Sequence, residues 1–492
     1  MMWLVFSSTA LVFGIISWLS YWVCGWMNPK CNGKLPPGST GIPLIGETME
    51  FFSPYDLYEI TPFVRKRMAR YGSLFRTNLV GKNVIVSTDP EINYQIFQQE
   101  GKSFELCYTE SFMTITGESF PGQHGLVHKY LKNLVLQIIG PETLKDRLLA
   151  HMDKATRTYM RSWANNVIVD LKEVASNMIF DYFAEKLISY DESKASKKLK
   201  QSYDAFLEGL ISFPLNIPGT AYHACLQGRK KAIKVIKDIY EERKRLNMNR
   251  GDYLDYLLEE LKKEETVLNE SLVIDLLFLL VFASYESTSS AITLAVKFIS
   301  DHPRVLAELT KEHDQILRHR GNDDIELSWE EYKSMTFTHM VINETVRFAN
   351  IVPVVFRRAV EDVVMKGKVY NSKKLASYDH SITGYTIPKN WLVMIIPSAV
   401  HLNPDYYDNP LEFNPWRWEG KKLHAGSKTF MAFGGGLRLC VGADFTRLQV
   451  ALVLHYLVSK YKWTVIKGGE IIRKPALFFP NGLHVKISEK EK

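Results

Sequence analysis

The sequence predicts a mainly α protein with a minor β region, carried on a single N-terminal transmembrane helix. Three observations lead there. From about Ile92 to Met335 the texture is helical with few strand-like runs, and the clear β-rich runs lie before and after that stretch. The first 29 residues carry no charged side chain.

The N-terminal run is mostly apolar from Trp3 to Met27, and about 20 such residues span a bilayer core as helix. Trp18, Tyr21, Trp22 and Trp26 gather near its end, as interfacial anchors do. Lys30 and Lys34 follow at once, which by the positive-inside rule leaves the remainder in the cytoplasm. A cleaved signal peptide is the alternative, but the run lacks a basic start and is long for that role. Lys34 to Pro43 contains Pro36, Pro37, Gly38 and Pro43 and reads as a short stiff link. The expected division is residues 1–27 as anchor, 28–43 as proline-rich hinge and 44–492 as one large domain.

At 492 residues and 46% hydrophobic the chain can bury a large core. A net charge of +7 makes it mildly basic, but pairs such as Lys230-Lys231, Lys262-Lys263 and Lys373-Lys374 are scattered. No basic tract is interleaved with aromatics, which argues against a nucleic-acid groove and suits docking to an acidic redox partner or anionic membrane lipid. Five cysteines, Cys24, Cys31, Cys107, Cys225 and Cys440, form no C-x-x-C pair. That argues against a disulfide framework or zinc site and for a reducing environment.

Gly72–Leu79 and Asn83–Ser87 read as a strand pair. Phe213–Thr220 breaks the helical pattern with two prolines and a glycine. It is apolar for a loop and suits a channel mouth, a membrane contact or a buried connector. Gly228–Asn247 is basic and amphipathic, a solvated helix face. Strand signals return at Tyr385–Pro388, Trp391–Ile396, Trp463–Ile466 and Leu483–Ile487.

Phe433-Gly-Gly-Gly-Leu-Arg-Leu-Cys440-Val-Gly442 is the decisive stretch. Glycines at Gly434, Gly435 and Gly436 let a backbone pass close to a flat bulky ligand. Amides in such a turn can point at a sulfur and stabilise its anion. The apolar helix expected over Phe445–Val458 would present its positive end to the same place. A phosphate loop needs Lys-Ser/Thr or a third spaced glycine, and neither follows; a buried structural cysteine is the plain alternative. The full pattern Phe-x-x-Gly-x-Arg-x-Cys-x-Gly resembles the cysteine-ligand loop of the cytochrome P-450 superfamily of haem-thiolate monooxygenases.

The resemblance extends over nearly the whole chain. Glu344-Thr-Val-Arg347 is similar to the family's Glu-x-x-Arg helix, and Phe413–Trp418 to the segment whose arginine completes its triad. By resemblance Glu344, Arg347 and Arg417 are a fold lock beneath the haem and not catalytic. Ala283-Ser-Tyr-Glu286-Ser287-Thr-Ser289 resembles the oxygen-activation groove, with Ser284 where glycine is usual and Ser287 where threonine is usual. It implies a proton relay through Glu286 and Ser287. Gly125–Lys132 is similar to a Trp-x-x-x-Arg helix, with His128 and Lys132 in the two roles. These two, Arg438, Phe433 and Gly436 are the expected haem-binding residues, with Arg357 and Arg358 as weaker candidates for the propionates. Residues 368–383 form a polar insertion relative to the family, either an exposed hairpin loop or a retained intron in the sequence.

The resemblance implies haem b (iron protoporphyrin IX) held by Cys440, the metal ligand, whose thiolate favours O–O cleavage. No nicotinamide or flavin fingerprint is evident, so electrons from NADPH imply a partner, NADPH-cytochrome P-450 reductase. The implied location is the endoplasmic reticulum membrane, single-pass, with the catalytic domain facing the cytosol. A same-fold isomerase or dehydratase and a non-catalytic haem sensor or carrier are the competing functions. Lys34–Gly38, Pro218–Thr220 and Phe413–Trp418 look most like the plant clan oxidising brassinosteroids, abscisic acid, gibberellin precursors and triterpenes. Phe282–Glu286 is similar to its cucurbitane and oleanane-type triterpene branch. Ile351–Val355 and Pro475–Pro480 are expected to line the pocket of a bulky apolar substrate, whereas a charged one would be left unsolvated there.

Overall fold

Asn269 opens the helix around which the α region packs. Its side chain accepts from the Leu272 amide at 2.9 Å, satisfying one of the orphan donors of the first turn, and Glu270–Asp301 runs on for 32 residues. Leu272–Phe278 and Thr288–Val296 are buried on every side of this helix, the pattern of a helix enclosed by others rather than laid on a surface. Leu171–Ile188, Ala221–Leu246, Thr336–Ala349 and Ala443–Lys460 pack around it. Full burial of side chains such as Phe278, Leu294 and Phe298 contributes about 1.5–3 kcal/mol each. This is a computed structural model. It describes residues 2–108, 113–114, 117, 125–165, 167–195, 198–210, 212, 214–320, 326–365, 384–421 and 427–491. The insertion at 368–383 lies outside them.

The expected strand pair forms, as Leu74–Leu79 antiparallel to Lys82–Ser87. It belongs to a larger sheet: Lys82–Ser87 runs parallel to Leu392–Ile395, which pairs with Val355–Ala359, and that strand with Phe104–Leu106. The C-terminal signals resolve into Tyr461–Gly468 antiparallel to Leu483–Glu489, with Val169–Asp170 added at the edge. The architecture is mainly helical with a minor sheet region, as the sequence predicts.

Two apolar helices contrast. Glu270–Asp301 is long and apolar enough to cross a bilayer, yet it is the core helix. Met2–Met27 has 26 residues, about 39 Å at the usual rise. It leaves Leu11, Phe13, Trp18 and Tyr21 more than half exposed. The segment after it is tied down: Thr386 donates its amide to the Lys34 carbonyl and Arg76 to that of Pro37. A Cβ on Gly38 would lie 2.0 Å from the Arg76 carbonyl, so glycine is required there.

Two expectations change. The apolar connector has Leu215 and Ile217 exposed, which removes the buried-connector reading. The basic face of Ala221–Leu246 is not wholly solvated: Arg243 is buried and pairs with Asp252 and Asp255, and Arg229 pairs with Asp275 at 2.8 Å. An arginine in an amphipathic run turns inward when an acidic partner awaits it, which periodicity does not reveal.

Three histidines are buried in their neutral form. His401 Nδ1 lies 2.7 Å from Asn350 Oδ1 while its Nε2 accepts from the Met431 amide at 3.0 Å, so a second proton has no acceptor. His313 and His455 face each other through Nδ1 at 2.9 Å, and His313 Nε2 meets Thr338 Oγ1 at 3.0 Å. Burial pushes His313 down to about 3. Burial, with Arg347 nearby, takes His401 to about 3, and burial beside His313 drives His455 well below its usual range. Unfolded imidazoles titrate near 6.5, so the folded state binds fewer protons below that pH. Their contribution is complete above pH ~6.5 and is lost as pH falls toward the folded values. Between pH 6.5 and 5.5 each histidine should cost about 1 kcal/mol of stability. Denaturant midpoints at pH 7.5 and 5.5 test this against His313→Gln, which cannot titrate. The parent should lose more stability than the variant by about one histidine's share, and equal losses would refute the assignment.

Candidate active site

Backbone conformation and close packing against protein both require glycine in the cysteine turn. Gly434 and Gly436 take φ of +76° and +63°, and Gly436–Arg438 forms a single 3₁₀ turn. A Cβ on Gly436 would sit 2.2 Å from the Phe97 carbonyl, and one on Gly435 2.7 Å from the Phe97 ring. At these two glycines the close approach that the structure shows is to the end of the helix Pro90–Gln98. The Phe433 carbonyl closes the loop by accepting from the Cys440 amide at 2.9 Å. The Arg447 guanidinium lies 4.7 Å from the centre of the Phe433 ring.

Cys440 has accessible surface although protein surrounds it. Burial pushes it up, opposed by a hydrogen bond from the Gly442 amide and by Arg447. The helix Ala443–Lys460 begins three residues later and directs its positive end at the same place. All five cysteines are free.

The basic residues expected near this turn converge on it. Lys132, on the helix Gly125–Ile139, donates to the Leu437 carbonyl at 3.1 Å, and Arg438 Nη1 lies 3.4 Å from His128 Nδ1. Burial, with Arg438 beside it, holds His128 below its usual range, and its Nε2 is buried with no partner among the described residues. Arg357 joins the cluster through Glu100, which the sequence reading did not single out: Arg357 Nε and Arg438 Nε lie 2.5 and 2.7 Å from its two oxygens. Arg358 does not join. Its side chain points to the other face of the strand and pairs with Glu105, as alternation requires.

On the core helix Ala283 is exposed and Ser287, one turn on, is half-buried, on a helix otherwise enclosed. Ser287 Oγ donates to the Ala283 carbonyl at 2.9 Å, and Ser284 Oγ to that of Val281 at 2.8 Å. Glu286 turns away from Ser287, because successive helix positions diverge by about 100°. Its carboxylate takes Lys172 Nζ at 2.8 Å, and the same ammonium reaches Ser289 Oγ at 2.8 Å. A direct Glu286–Ser287 contact is therefore not formed, and Lys172, absent from the sequence reading, stands at the acid. Val352 is half exposed, while Ile351, Val354, Leu477 and Phe479 are half-buried.

Glu344, Arg347 and Arg417 come together as the resemblance implies. Arg347 grips Glu344 through Nε and Nη2, both at 2.8 Å, and Arg417 Nε reaches the same carboxylate at 2.9 Å.

A thiol, an imidazole and guanidiniums set round interior surface fit an iron porphyrin. The thiol would hold the metal, which deprotonates a coordinating thiol outright, and the cations would meet the propionates. Among the described residues no three His, Cys, Asp or Glu side chains converge, so a bare ion would have no cage. A polar groove of about 620 Å³ lined by Asp170, Lys467, Glu470 and His484 includes none of these groups.

The family of cytochrome P450 matches residues 36–487. Rice cytochrome P450 87A3 is 49% identical, covering 95% of this chain and 89% of its own. A beta-amyrin 16-alpha-hydroxylase of Maesa lanceolata is 38% identical over 96% of this chain and 97% of its own. The cucurbitadienol 11-hydroxylase of Siraitia grosvenorii is 37% identical, with 100% of both chains covered. The retinoic acid-bound cyanobacterial CYP120A1 superposes with a TM-score of 0.79 at 25% identity, over 93% of this chain and 100% of that one. With the family's pattern matched through almost the whole sequence and its fold reproduced, the chain belongs to the cytochrome P450 family and is a haem-dependent monooxygenase.

Proposed function

We propose that this protein oxidises a triterpene or similarly bulky terpenoid, with Cys440 as the thiolate that would hold the haem iron and electrons from NADPH-cytochrome P-450 reductase. Cys440 carries the assignment: an accessible yet enclosed thiol, met by the Gly442 amide and the start of a helix. When bound, the haem supplies dioxygen activation and insertion of oxygen into a C–H bond. Arg438, Arg357, Lys132 and His128 would hold its carboxylates, and Phe433 and Gly436 shape the turn that carries Cys440.

The chain's own work is positioning and proton supply. Lys172 holds the Glu286 carboxylate at the distal helix, where the pair can exchange protons with solvent, since Glu286 is half-buried. Ser287, one residue on, keeps its hydroxyl on the accessible side of the helix by donating to Ala283, and would turn from that carbonyl to pass a proton onward. The half-buried apolar side chains of Ile351, Val354, Leu477 and Phe479 offer a sterol-sized hydrocarbon a wall free of charge. Two similar proteins bear names of triterpene hydroxylases, which favours that substrate class.

Residues 1–27 serve as anchor, 28–43 as the link and 44–492 as the catalytic domain, on the cytosolic side of the endoplasmic reticulum. The exposed apolar side chains of Leu11–Met27 support an anchor role. Deleting residues 1–27 should convert the protein from carbonate-resistant to carbonate-extractable without loss of haem. A truncated form that still resists extraction would disprove a single anchor.

The assignment itself is tested by two spectra. Cys440→Ala should abolish the red-shifted Soret band of the ferrous-CO complex, which thiolate ligation produces. In the parent, triterpene alcohols should shift the haem from low to high spin. An unchanged band in the variant removes the ligand assignment; binding of small organic anions with no response to any triterpene or sterol removes the substrate class.

Ser287→Ala deletes the hydroxyl with little change in volume, so haem content and substrate binding should persist. Product formed per NADPH should fall by roughly tenfold as hydrogen peroxide rises, while Ser287→Thr should couple at least as well as the parent. An alanine variant coupled as tightly as the parent would make Ser287 an ordinary helix residue.

A further inference from the structure

Between the cysteine turn and the central sheet, one carboxylate serves two guanidiniums. Glu100 is 6% exposed and Arg357 2%. Glu100 Oε1 lies 2.7 Å from Arg438 Nε and also accepts from the Leu106 amide at 3.1 Å, while Oε2 lies 2.5 Å from Arg357 Nε. Arg438 is thus held through Nε by a hydrogen bond, and Arg357 by a charge contact at the same edge whose geometry forms no hydrogen bond. Each is also engaged through Nη1, Arg438 toward His128 at 3.4 Å and Arg357 to the Phe356 carbonyl at 2.8 Å. Two like charges this close to one another and this poorly hydrated repel, and either one unpaired would carry a large desolvation cost. Glu100 is what allows them to sit side by side. Two cations, Arg357 and Arg438, then share a single acid, with Lys132 held nearby on the Leu437 carbonyl and His128 held toward its neutral form.

Resting on the reading that this cluster receives the haem, we propose that Glu100 is a positioning residue for it. It fixes Arg357 and Arg438 at a set separation for the two haem carboxylates, and its buried negative charge favours the ferric state. The first effect needs both the charge and the reach of the side chain. The second needs the charge alone.

Glu100→Gln and Glu100→Asp, made in the full-length holoprotein, separate the two effects. The readouts are the rate of haem transfer to excess apomyoglobin and the ferric/ferrous midpoint potential. Glu100→Gln should release haem at least tenfold faster. It should also shift the equilibrium about tenfold toward ferrous, a rise of about 59 mV for one electron. Glu100→Asp keeps the charge but cannot span both arginines, so haem loss should accelerate while the ferric/ferrous equilibrium stays within threefold of the parent. Parent-like values of both readouts in Glu100→Gln overturn the proposal, as does equal behaviour of the two variants, which marks a merely structural role. If Glu100→Gln yields no holoprotein, parent-like haem transfer in Glu100→Asp overturns it. A parent lacking the thiolate-type ferrous-CO band would instead defeat the assignment of Cys440, so the two failures are distinguishable.

Discussion

The ion-pair cluster at Glu344 is the constraint on which the rest of the site depends. A carboxylate has about four lone-pair sites, and this one, fully buried, receives five donors: Arg347 Nε and Nη2, Arg417 Nε, Trp418 Nε1 and the Asn414 amide. Arg347 continues outward to the carbonyls of His401 and Pro410, and Arg417 to those of Asp408 and Glu412. Burying such charges is costly, and the cost is offset only when every partner is in place; loss of one partner is typically worth about 3–5 kcal/mol. The cluster therefore holds the helix Thr336–Ala349 and the loop through Trp418 in one relative position.

That position is passed on to the site by the chain itself. Asn350 ends the helix in a left-handed turn at φ +41°, and its carbonyl accepts from Arg473 at 2.9 Å. The chain then runs through Ile351–Val354 into the strand Val355–Ala359, which carries Arg357. A polar lock on one side thus fixes where the half-buried run Ile351–Val354 and Arg357 lie on the other.

The distal helix works under the opposite electrostatic rule. At Glu344 the acid is saturated with donors and sealed. At Glu286 the acid has Lys172 and remains half-buried. Two glutamates in one core thus differ in their surroundings: one is saturated with buried donors, the other is paired with one lysine and partly exposed. Glu100 stands between these cases, buried like the first and shared between Arg357 and Arg438.

Local signals carried much of this. The cysteine loop, the Glu-x-x-Arg spacing, the basic residues of Gly125–Lys132 and the main strand runs are legible because each depends on neighbours within a few positions, where backbone geometry dictates proximity. The mainly helical class follows from periodicity, and the uncharged N-terminal run from composition alone. What the sequence could not disclose depends on distance through space. The parallel pairing of Lys82–Ser87 with Leu392–Ile395 joins segments some three hundred residues apart. Arg357 and Arg358 are adjacent and chemically equal, yet the strand sends one to Glu100 and the other to Glu105. Lys172 and Glu100 carry no motif; their roles arise only when the fold places an opposite charge within hydrogen-bonding reach in a poorly hydrated interior. Sequence by itself determined which residues had the chemistry to bind haem and lock the fold. Tertiary structure alone decided which charges met, because the Coulomb energy that selects partners depends on separation and burial and not on order along the chain.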